Sequence, residues 1–238
     1  MKWKLAELIA IKEETPSIKS FTFKLPHEMR FFPGQHMDIR LRAEDGYEAR
    51  RSYSIASDPS NVNHIVLTID LLPDGEVSGF LHDEARVGDL FEMRGPIGGY
   101  FIWKPHFKRP LLLVGGGSGL VPLMSILRTW EKGTDKVPVH LLFSTKTQED
   151  FLFYEELKAM ESKESSLSVT TTYTREAPTD WKGNTGRIDG NLLKKSLATI
   201  SGKPLCYVCG STALVEFVAN KLLEQGIEGA LIRTERYG

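Results

Sequence analysis

The sequence predicts a two-domain protein, in which an all-β N-terminal domain, a small barrel or a sandwich, is followed by a C-terminal α/β domain with a parallel sheet. Roughly the first hundred residues contain short runs that alternate polar with apolar or β-branched residues, separated by turns rich in Pro, Gly, Asp and Asn. From Pro110 onward, apolar runs alternate with helical patterns, which is typical of strands joined by crossover helices. The pattern changes within residues 104–110. We therefore expect domains over residues 1–105 and 106–238.

Six strands are predicted in the N-terminal domain. They cover residues 2–12, 17–25, 35–43, 50–57, 63–72 and 89–95. Regular short strands with turn signals favour a small barrel or a sandwich. One helix interrupts the series in the segment EVSGFLHDEA, and Ser78 is its predicted N-cap.

The C-terminal domain is predicted to alternate strands and helices. Its first strand, in PLLLVGGGSG, is the continuous apolar run expected of a strand buried on both faces. Pro122 falls near the first turn of the next helix, where a missing N–H costs little, and Gly133 lies just past the end of that helix. Further strands are predicted in VPVHLLFST, LSVTTTYT, PLCYVCGS and EGALIRTERYG, with helices between them.

Composition and charge exclude several classes of protein. The chain has 238 residues, of which 41% are hydrophobic and 26% charged, and its net charge is −1 at pH 7. Because there is no basic excess to neutralise phosphates, a nucleic-acid partner is not expected. Glu7 interrupts the first apolar stretch, and no run approaches the ~18–20 apolar residues that a membrane helix needs. We expect a cytoplasmic protein without a signal peptide or membrane insertion.

A glycine-rich loop joins the first C-terminal strand to its helix. Such a loop lets backbone approach a ligand closely and directs helix N–H groups at an anion. The simpler alternative is a tight turn, for which one glycine would suffice. The loop is not the usual dinucleotide fingerprint, because residue 120 is leucine where that pattern needs glycine. Phosphate or pyrophosphate binding is favoured by the four glycines Gly115, Gly116, Gly117 and Gly119.

Basic residues follow the later strands of the predicted sheet. Ser144 and Lys146 end the second strand, where an acidic residue would usually hold a ribose hydroxyl of NAD. Thr174 and Arg175 follow the third strand, and Arg187 comes shortly afterwards. Each cation alone could be a solvated surface residue. Together, at the edge where open α/β sheets bind ligands, they favour a 2′-phosphate and hence NADPH over NADH.

Several short motifs, taken in order, resemble one family. They are RSYS (51–54), GEVS (75–78), GPIGGY (95–100), GGGSGLVP (115–122), CGS (209–211) and TERYG (234–238). The chain resembles the ferredoxin–NADP⁺ reductase superfamily, and its end resembles the free-standing bacterial FAD-dependent NAD(P)H oxidoreductases. The resemblance implies that the N-terminal domain is an antiparallel β-barrel that binds FAD and that the α/β domain binds NAD(P)H. Hydride would pass from NAD(P)H to FAD, and electrons would leave to a separate acceptor such as ferredoxin, flavodoxin or an oxygenase component.

The resemblance also implies roles for individual residues. Arg51 would pair with the flavin pyrophosphate, Tyr53 would lie against the flavin, and Ser54 would offer its hydroxyl near flavin N5. The other FAD-binding residues implied are Ser52, Thr68, Ile69, Asp70, Gly75, Val77 and Ser78. The nucleotide-binding residues implied are Gly116, Gly117, Ser118, Gly119, Pro122, Ser144, Lys146, Thr174, Arg175, Arg187, Cys209, Gly210 and Ser211.

Three further residues are implied at the site of hydride transfer besides Ser54. Cys209 would lie beside nicotinamide C4 and help to orient it. Glu235 would place a carboxylate near the flavin edge. Tyr237 would stack on or beside the flavin ring and act as a gate for the nicotinamide.

The two cysteines are spaced C-x-x-C, which could indicate a redox dithiol or half of a metal site. On an extended strand, side chains three residues apart point to opposite faces. Cys206 is therefore predicted to be a core residue that does not meet Cys209, and no metal site is predicted. A thiol oxidoreductase remains a weaker alternative, as does a non-catalytic regulatory or electron-transfer subunit. The chain has too few cysteines for an iron–sulfur cluster.

Overall fold

The computed structural model of the protein describes residues 2–237. These residues form two compact units. The first unit contains the chain up to Lys104 together with Met124–Thr129. The second contains Pro105–Leu123 and the chain from Trp130 onward.

The first unit contains six strands and one helix. The strands are β1 Lys4–Thr15, β2 Ile18–Lys24, β3 His36–Arg42, β4 Glu48–Ser54, β5 His64–Asp70 and β6 Leu90–Ile97, and the helix is α1 Glu76–Asp83. All five strand pairings are antiparallel, in the order β4-β3-β6-β1-β2-β5. A bridge between Ile55, directly after β4, and Leu67 of β5 joins the two outer strands. The sheet is thereby closed into the predicted antiparallel barrel.

Alternation along the strands fills the barrel interior. In β2, Phe21 and Phe23 are completely buried, while Thr22 between them is half-buried. Ile39 of β3 and Leu67 and Ile69 of β5 belong to the same apolar cluster. Because side chains on a strand alternate between two faces, each strand contributes every second residue to this core.

The predicted N-cap of α1 is wrong. The helix begins at Glu76, and its N-cap is Gly75 rather than Ser78. The Ser78 hydroxyl turns back onto the preceding loop, where it accepts from the Leu72 N–H at 3.3 Å and donates to the Gly75 carbonyl at 3.2 Å. A Cβ at position 75 would lie 2.3 Å from the Ser78 oxygen, so a glycine there permits this arrangement.

From Leu111 onward the chain alternates strands and helices. The elements are β7 Leu111–Gly116, α2 Leu120–Lys132, β8 Val139–Thr145, α3 Tyr154–Lys163, β9 Leu167–Tyr173, β10 Asn184–Thr185, α4 Gly190–Ala198, β11 Leu205–Ser211, α5 Thr212–Glu224 and β12 Ile232–Tyr237. The sheet order is β10-β9-β8-β7-β11-β12, and every pairing is parallel. This confirms the predicted α/β architecture, although the short strand β10 was not predicted.

Continuous burial marks the centre of this sheet. The four residues from Leu111 to Val114 are completely buried, as expected for a parallel strand covered on both faces. On one face, Val208 of β11 packs in a cluster with Val215 and Val218 of α5. Within residues 2–237, no helix is long and apolar enough to cross a membrane.

Candidate functional site

The strand order of the second unit reverses beside β7. The chain passes from β7 to β8 on one side, whereas β11 lies on the other side of β7. Open parallel sheets bind ligands at the carboxyl ends of their strands, at the point where the order reverses. β7 ends in the glycine loop and β11 ends in the CGS segment. The structure therefore brings these two predicted motifs together at the reversal point of the sheet.

The glycine loop approaches the end of β11 closely. A Cβ at Gly119 would lie 2.3 Å from the carbonyl oxygen of Cys209 and 2.9 Å from the nitrogen of Gly210. Gly117 adopts φ of +56°, in the left-handed region. The turn over Gly117–Gly119 leads directly into α2, whose first turn contains Pro122. Glycine at 119 is thus required by backbone packing, and the loop amides precede the helix as phosphate binding needs.

Three predicted basic residues follow neighbouring strand ends. The last residues of β8, β9 and β10 are partners in register, namely Thr145, Tyr173 and Thr185. The Arg175 N–H donates to the Lys146 carbonyl at 3.0 Å, which ties the first two loops together. The side chains of Lys146, Arg175 and Arg187 are exposed. The unpredicted strand β10 thus places Arg187 at the same edge as the other two cations.

Of the two polar residues predicted beside these cations, Thr174 is exposed and Ser144 is more enclosed. Ser144 is half-buried within β8. The Thr174 hydroxyl donates to the Thr145 carbonyl at 3.1 Å. Thr174 therefore fixes the loop geometry at this edge, while the exposed cations provide its charge.

Cys209 is a buried, neutral thiol at the end of β11. Its side chain is 2% exposed. Burial raises the pKa of the Cys209 thiol well above its usual value, and the carboxylate of Glu235, its register partner in β12, raises that pKa further. A hydrogen bond with the Gly210 backbone acts in the opposite direction. Cys209 is therefore an uncharged S–H group and is not suited to act as a thiolate nucleophile.

Cys206 has a structural role. It is completely buried in the apolar cluster that contains Val208 and Val215, and burial raises its thiol pKa to about 12. Both cysteines are free thiols. The C-x-x-C spacing therefore forms no disulfide, as the strand geometry predicted.

Tyr237 lies on the glycine loop of its own unit. It ends β12, where it is the register partner of Ser211, and its hydroxyl donates to the Gly116 carbonyl. A Cβ at Gly117 would lie 3.3 Å from that hydroxyl oxygen. The terminal aromatic is thus positioned against the predicted pyrophosphate loop. Gly238, the last residue of the TERYG motif, lies outside the described residues.

The RSYS motif occupies the end of β4. Tyr53 is half-buried against the barrel core, and burial raises its pKa to about 12. The exposed Arg51 lies close enough to the hydroxyls of Tyr53 and Tyr47 to act against the rise in their pKa values. The motif therefore combines an aromatic ring with an accessible guanidinium, the group suited to bidentate contact with phosphate.

Tyr47 and Glu76 lie near this motif, and neither was predicted from the sequence as a site residue. The Tyr47 hydroxyl donates to the two carboxylate oxygens of Glu76 at 2.9 and 3.1 Å, which ties the chain before β4 to the first turn of α1. The glutamate of GEVS is the only sequence signal for this contact. Because the Ser78 hydroxyl bonds to its own loop, any anion contact of Val77 and Ser78 would have to use their backbone N–H groups.

Three other residues predicted to contact FAD form side-chain hydrogen bonds within the barrel unit. The Ser52 hydroxyl donates to Asp38 at 2.7 Å. Thr68 shares a hydrogen bond of 2.8 Å with Ser20. Asp70 accepts from the Ser17 hydroxyl at 2.9 Å.

The side chain of Ile69 is 1% exposed in the barrel core, so this residue can present only backbone to a ligand. The hydroxyls of Ser52 and Thr68 already have hydrogen-bond partners within the barrel unit. Arg51 and Tyr53 are therefore the side chains of this unit best placed to contact FAD. In the second unit, the glycine loop and the exposed strand-end cations fit a pyridine nucleotide.

Within residues 2–237, no group of three or more His, Cys, Asp or Glu is placed to hold a metal ion.

Two family descriptions match the chain. Residues 5–102 match the oxidoreductase FAD-binding domain, and residues 113–220 match the oxidoreductase NAD-binding domain. These matches coincide with the barrel and with the parallel sheet as far as α5.

Individual relatives agree with both matches. NADH-cytochrome b5 reductase 1 of Mortierella alpina is 28% identical over 218 residues, covering 90% of this chain and 72% of the relative. Methane monooxygenase component C of Methylosinus trichosporium is 34% identical over 171 residues, covering 69% of this chain and 49% of the relative. The chain thus spans between half and three quarters of the length of these relatives.

A solved structure shares the whole fold. The ferredoxin–NADP⁺ reductase of Neisseria gonorrhoeae, solved with bound FAD and NADP, has a TM-score of 0.84 and 23% identity, with 99% of each chain covered. At that identity the likeness shows the fold, while the two domain matches carry the assignment. The chain belongs to the ferredoxin reductase-like superfamily of FAD- and NAD-binding oxidoreductases.

Proposed function

We propose that this chain is an NAD(P)H-dependent flavoprotein reductase that passes electrons to a separate acceptor. The observation that carries the proposal is the presence, in one chain, of an FAD-binding domain and an NAD-binding domain whose glycine loop lies at the reversal point of its sheet. Bound FAD would supply the redox chemistry, taking hydride from the reduced nucleotide and releasing electrons onward. The protein contributes binding, orientation and electrostatics.

In the FAD-binding domain, which we assign to residues 1–105, Arg51 is the pyrophosphate ligand. Its guanidinium is exposed, and it can form two parallel hydrogen bonds to phosphate oxygens. The ring of Tyr53 supports the flavin from the barrel side, because its other face is held by the core. The Ser54 hydroxyl follows at the end of β4 and is the proposed hydrogen-bond partner of flavin N5.

In the NAD(P)-binding domain, which we assign to residues 106–238, the glycine loop holds the nucleotide pyrophosphate. The exposed Lys146, Arg175 and Arg187 at neighbouring strand ends support binding of a 2′-phosphate, and we therefore propose NADPH as the preferred donor. Cys209 orients the nicotinamide as a neutral thiol, and Glu235 beside it helps to keep that thiol protonated.

A spectroscopic experiment tests the function. The purified protein, reconstituted with FAD, should be yellow, and anaerobic stopped-flow mixing with NADPH should bleach the flavin absorbance. The proposal would be contradicted if the protein failed to bind FAD, or if neither NADPH nor NADH changed the absorbance of the bound flavin. Bleaching without transfer to any acceptor would instead favour the non-catalytic electron-transfer or regulatory subunit.

The acceptor is proposed to be a separate protein. Relatives carry names such as cytochrome b5 reductase, methane monooxygenase component C and anthranilate 1,2-dioxygenase electron transfer component. A ferredoxin, a flavodoxin or an oxygenase component therefore suits this chain. An anaerobic screen of these acceptors with the NADPH-reduced protein would identify the class.

We also propose that the protein resides in a reducing compartment such as the cytoplasm, which suits its two free thiols. Cell fractionation would test this localisation.

A further inference from the structure

A cavity of about 630 Å³ opens in the second unit at the edge of the sheet opposite the glycine loop. It is lined by residues 106–110 before β7, by Lys203 and Leu205 at the start of β11, and by residues 230–231 and Arg233 at the start of β12. All strands of the sheet are parallel. Because these lining residues mark amino ends of strands, the cavity is distinct from the nucleotide site at the carboxyl ends.

Cations dominate the polar part of the lining. The four are Lys108, Arg109, Lys203 and Arg233. Lys108 pairs with Asp135 at 2.6 Å, and Lys203 pairs with Glu228 at 2.6 Å. All four of these paired side chains are at least 60% exposed, and such pairs contribute only about 0–1 kcal/mol. A bound anion can therefore replace either carboxylate at little cost.

Arg109 gives the cavity its most available guanidinium. Within residues 2–237, Arg109 forms no ion pair, and its Nη1 donates to the Lys203 carbonyl at a long 3.5 Å. It lies close enough to Glu228 to help lower the pKa of that carboxyl group. The positive charge of Arg109 therefore extends to Glu228, and its planar donors remain suited to a carboxylate or phosphate.

Apart from His106 and Arg233, the rest of the lining is apolar. Arg233 is held over the rings of Phe107 and Tyr207, with its guanidinium carbon 5.5 and 5.9 Å from the two ring centroids. Pro110 and the buried Leu205 contribute further apolar surface to the lining. The cavity thus combines apolar surface with four cations, of which Arg233 is held against aromatic rings.

We propose that this cavity binds a small organic anion, a carboxylate or phosphate ester attached to an apolar body. Its volume lies within the roughly 300–1,000 Å³ typical of small-molecule sites. The cations select the anionic group, and Phe107 with Leu205 accommodates the apolar body.

Calorimetric titration with 2-naphthoate tests this proposal. FAD and NADP⁺ are kept saturating, so that the sites in both domains are occupied. We expect saturable 1:1 binding, weakened at least about tenfold (~1.4 kcal/mol) in the double variant Arg109→Gln/Lys203→Gln. Lys163→Gln is the matched control, since Lys163 is also an exposed, ion-paired lysine of this unit, and it should leave binding unchanged.

Two further probes separate the contributions of charge and apolar surface. The uncharged 2-naphthalenemethanol and inorganic phosphate should each bind at least about tenfold more weakly than 2-naphthoate. The proposal is overturned by absence of saturable naphthoate binding, by equal affinity in the double variant, or by phosphate binding as tightly as naphthoate. Thermal melting of each variant verifies that it is folded. Because the measurement is heat of binding and not turnover, its outcome is independent of the reductase activity.

Discussion

At the scale of single residues, a tight constraint at the candidate site lies between Gly119 and the carbonyl oxygen of Cys209. A Cβ added at 119 would lie 2.3 Å from that oxygen, a backbone atom that cannot rotate away. We therefore expect Gly119→Ala to displace the loop or the end of β11. Overpacking of this kind costs about 1–3 kcal/mol. Urea denaturation should show that loss, and steady-state kinetics should show a rise in the NADPH KM on the order of tenfold.

Gly190→Ala is the control for that variant. Gly190 begins α4 in the same unit, and a Cβ there would meet only Lys221 Cδ at 3.7 Å, an ordinary contact. We expect its stability to stay within about 0.5 kcal/mol of the parent protein. Equal behaviour of the two alanine variants would contradict the role assigned to Gly119.

The two cysteines should respond differently to substitution. Cys209→Ala should slow flavin reduction by NADPH, because it removes the neutral thiol proposed to orient the nicotinamide. Cys206→Ala should leave that rate unchanged and lower stability by about 1 kcal/mol, since Cys206 is completely buried among apolar side chains. Stopped-flow reduction and urea denaturation of both variants measure the two effects. The reverse ranking of the rates would undo the assignment.

At the scale of secondary-structure elements, the proposed nucleotide selectivity depends on the aligned ends of β8, β9 and β10. Arg175→Ala removes an exposed cation from this edge. We expect it to raise the NADPH KM on the order of tenfold, while the NADH KM changes little, because only NADPH carries the 2′-phosphate. Lys182→Ala is a control in the exposed loop that follows Arg175, and it should change neither value. Equal effects of Arg175→Ala on both nucleotides would remove the 2′-phosphate assignment.

The C-terminal strand β12 ends against the glycine loop. Its last described residue, Tyr237, donates a hydrogen bond to the Gly116 carbonyl of the glycine loop. If the tail must leave before the nucleotide binds, Tyr237→Phe should tighten NADP⁺ binding by up to about fivefold, the equivalent of one hydrogen bond of about 1 kcal/mol. Truncation before Tyr237 should tighten it further and alter the flavin spectrum. Unchanged Kd values in both variants would show that the tail does not act as a gate.

At the scale of the whole molecule, sequence patterns predicted both architectures but not every connection within them. Alternation along the first six strands and the continuous apolar run of β7 follow directly from burial, which the sequence encodes. The bridge from Ile55 to Leu67 and the two-residue strand β10 depend on backbone hydrogen bonds. Backbone hydrogen bonds do not impose a repeating pattern of apolar residues on the sequence. These two features could therefore not be predicted from it.

The candidate site was predictable to a similar degree. Glycines after an apolar strand indicated the ligand loop, and the motif order indicated Cys209 beside it. The orientations of hydroxyl groups were not predictable, because they depend on which partners the folded chain brings within reach. Ser78 facing its own loop and Tyr237 reaching Gly116 are two such cases.

Part of the pH dependence of the stability of the protein should come from one buried histidine. His140 lies in β8, and its Nδ1 is 2.7 Å from the Ser168 hydroxyl and 3.0 Å from the Thr199 hydroxyl. Its Nε2 has no hydrogen-bond partner among residues 2–237. Burial lowers the pKa of His140 from 6.5 to about 4. The folded protein therefore holds this ring neutral at pH values where the unfolded chain protonates it.

The direction of the effect follows from that difference. As pH falls below 6.5, the unfolded chain gains a proton that the folded chain does not bind until about pH 4. The free energy of unfolding should therefore fall across this window, by a total on the order of 3 kcal/mol. Glu48, whose pKa is lowered to about 2 chiefly by a hydrogen bond from Arg50, acts in a separate window below its usual 4.5.

Urea denaturation at several pH values between 8 and 4 measures this dependence. His140→Gln keeps a polar side chain but removes the titrating ring, so its stability should vary less between pH 6.5 and 4.5 than that of the parent protein. Above pH 7 the two stability curves should run parallel, because the histidine ring is then neutral in both the folded and the unfolded chain. Curves that stay parallel down to pH 4.5 would show that His140 is protonated in the folded protein as readily as in the unfolded chain, and its burial would then carry no electrostatic penalty.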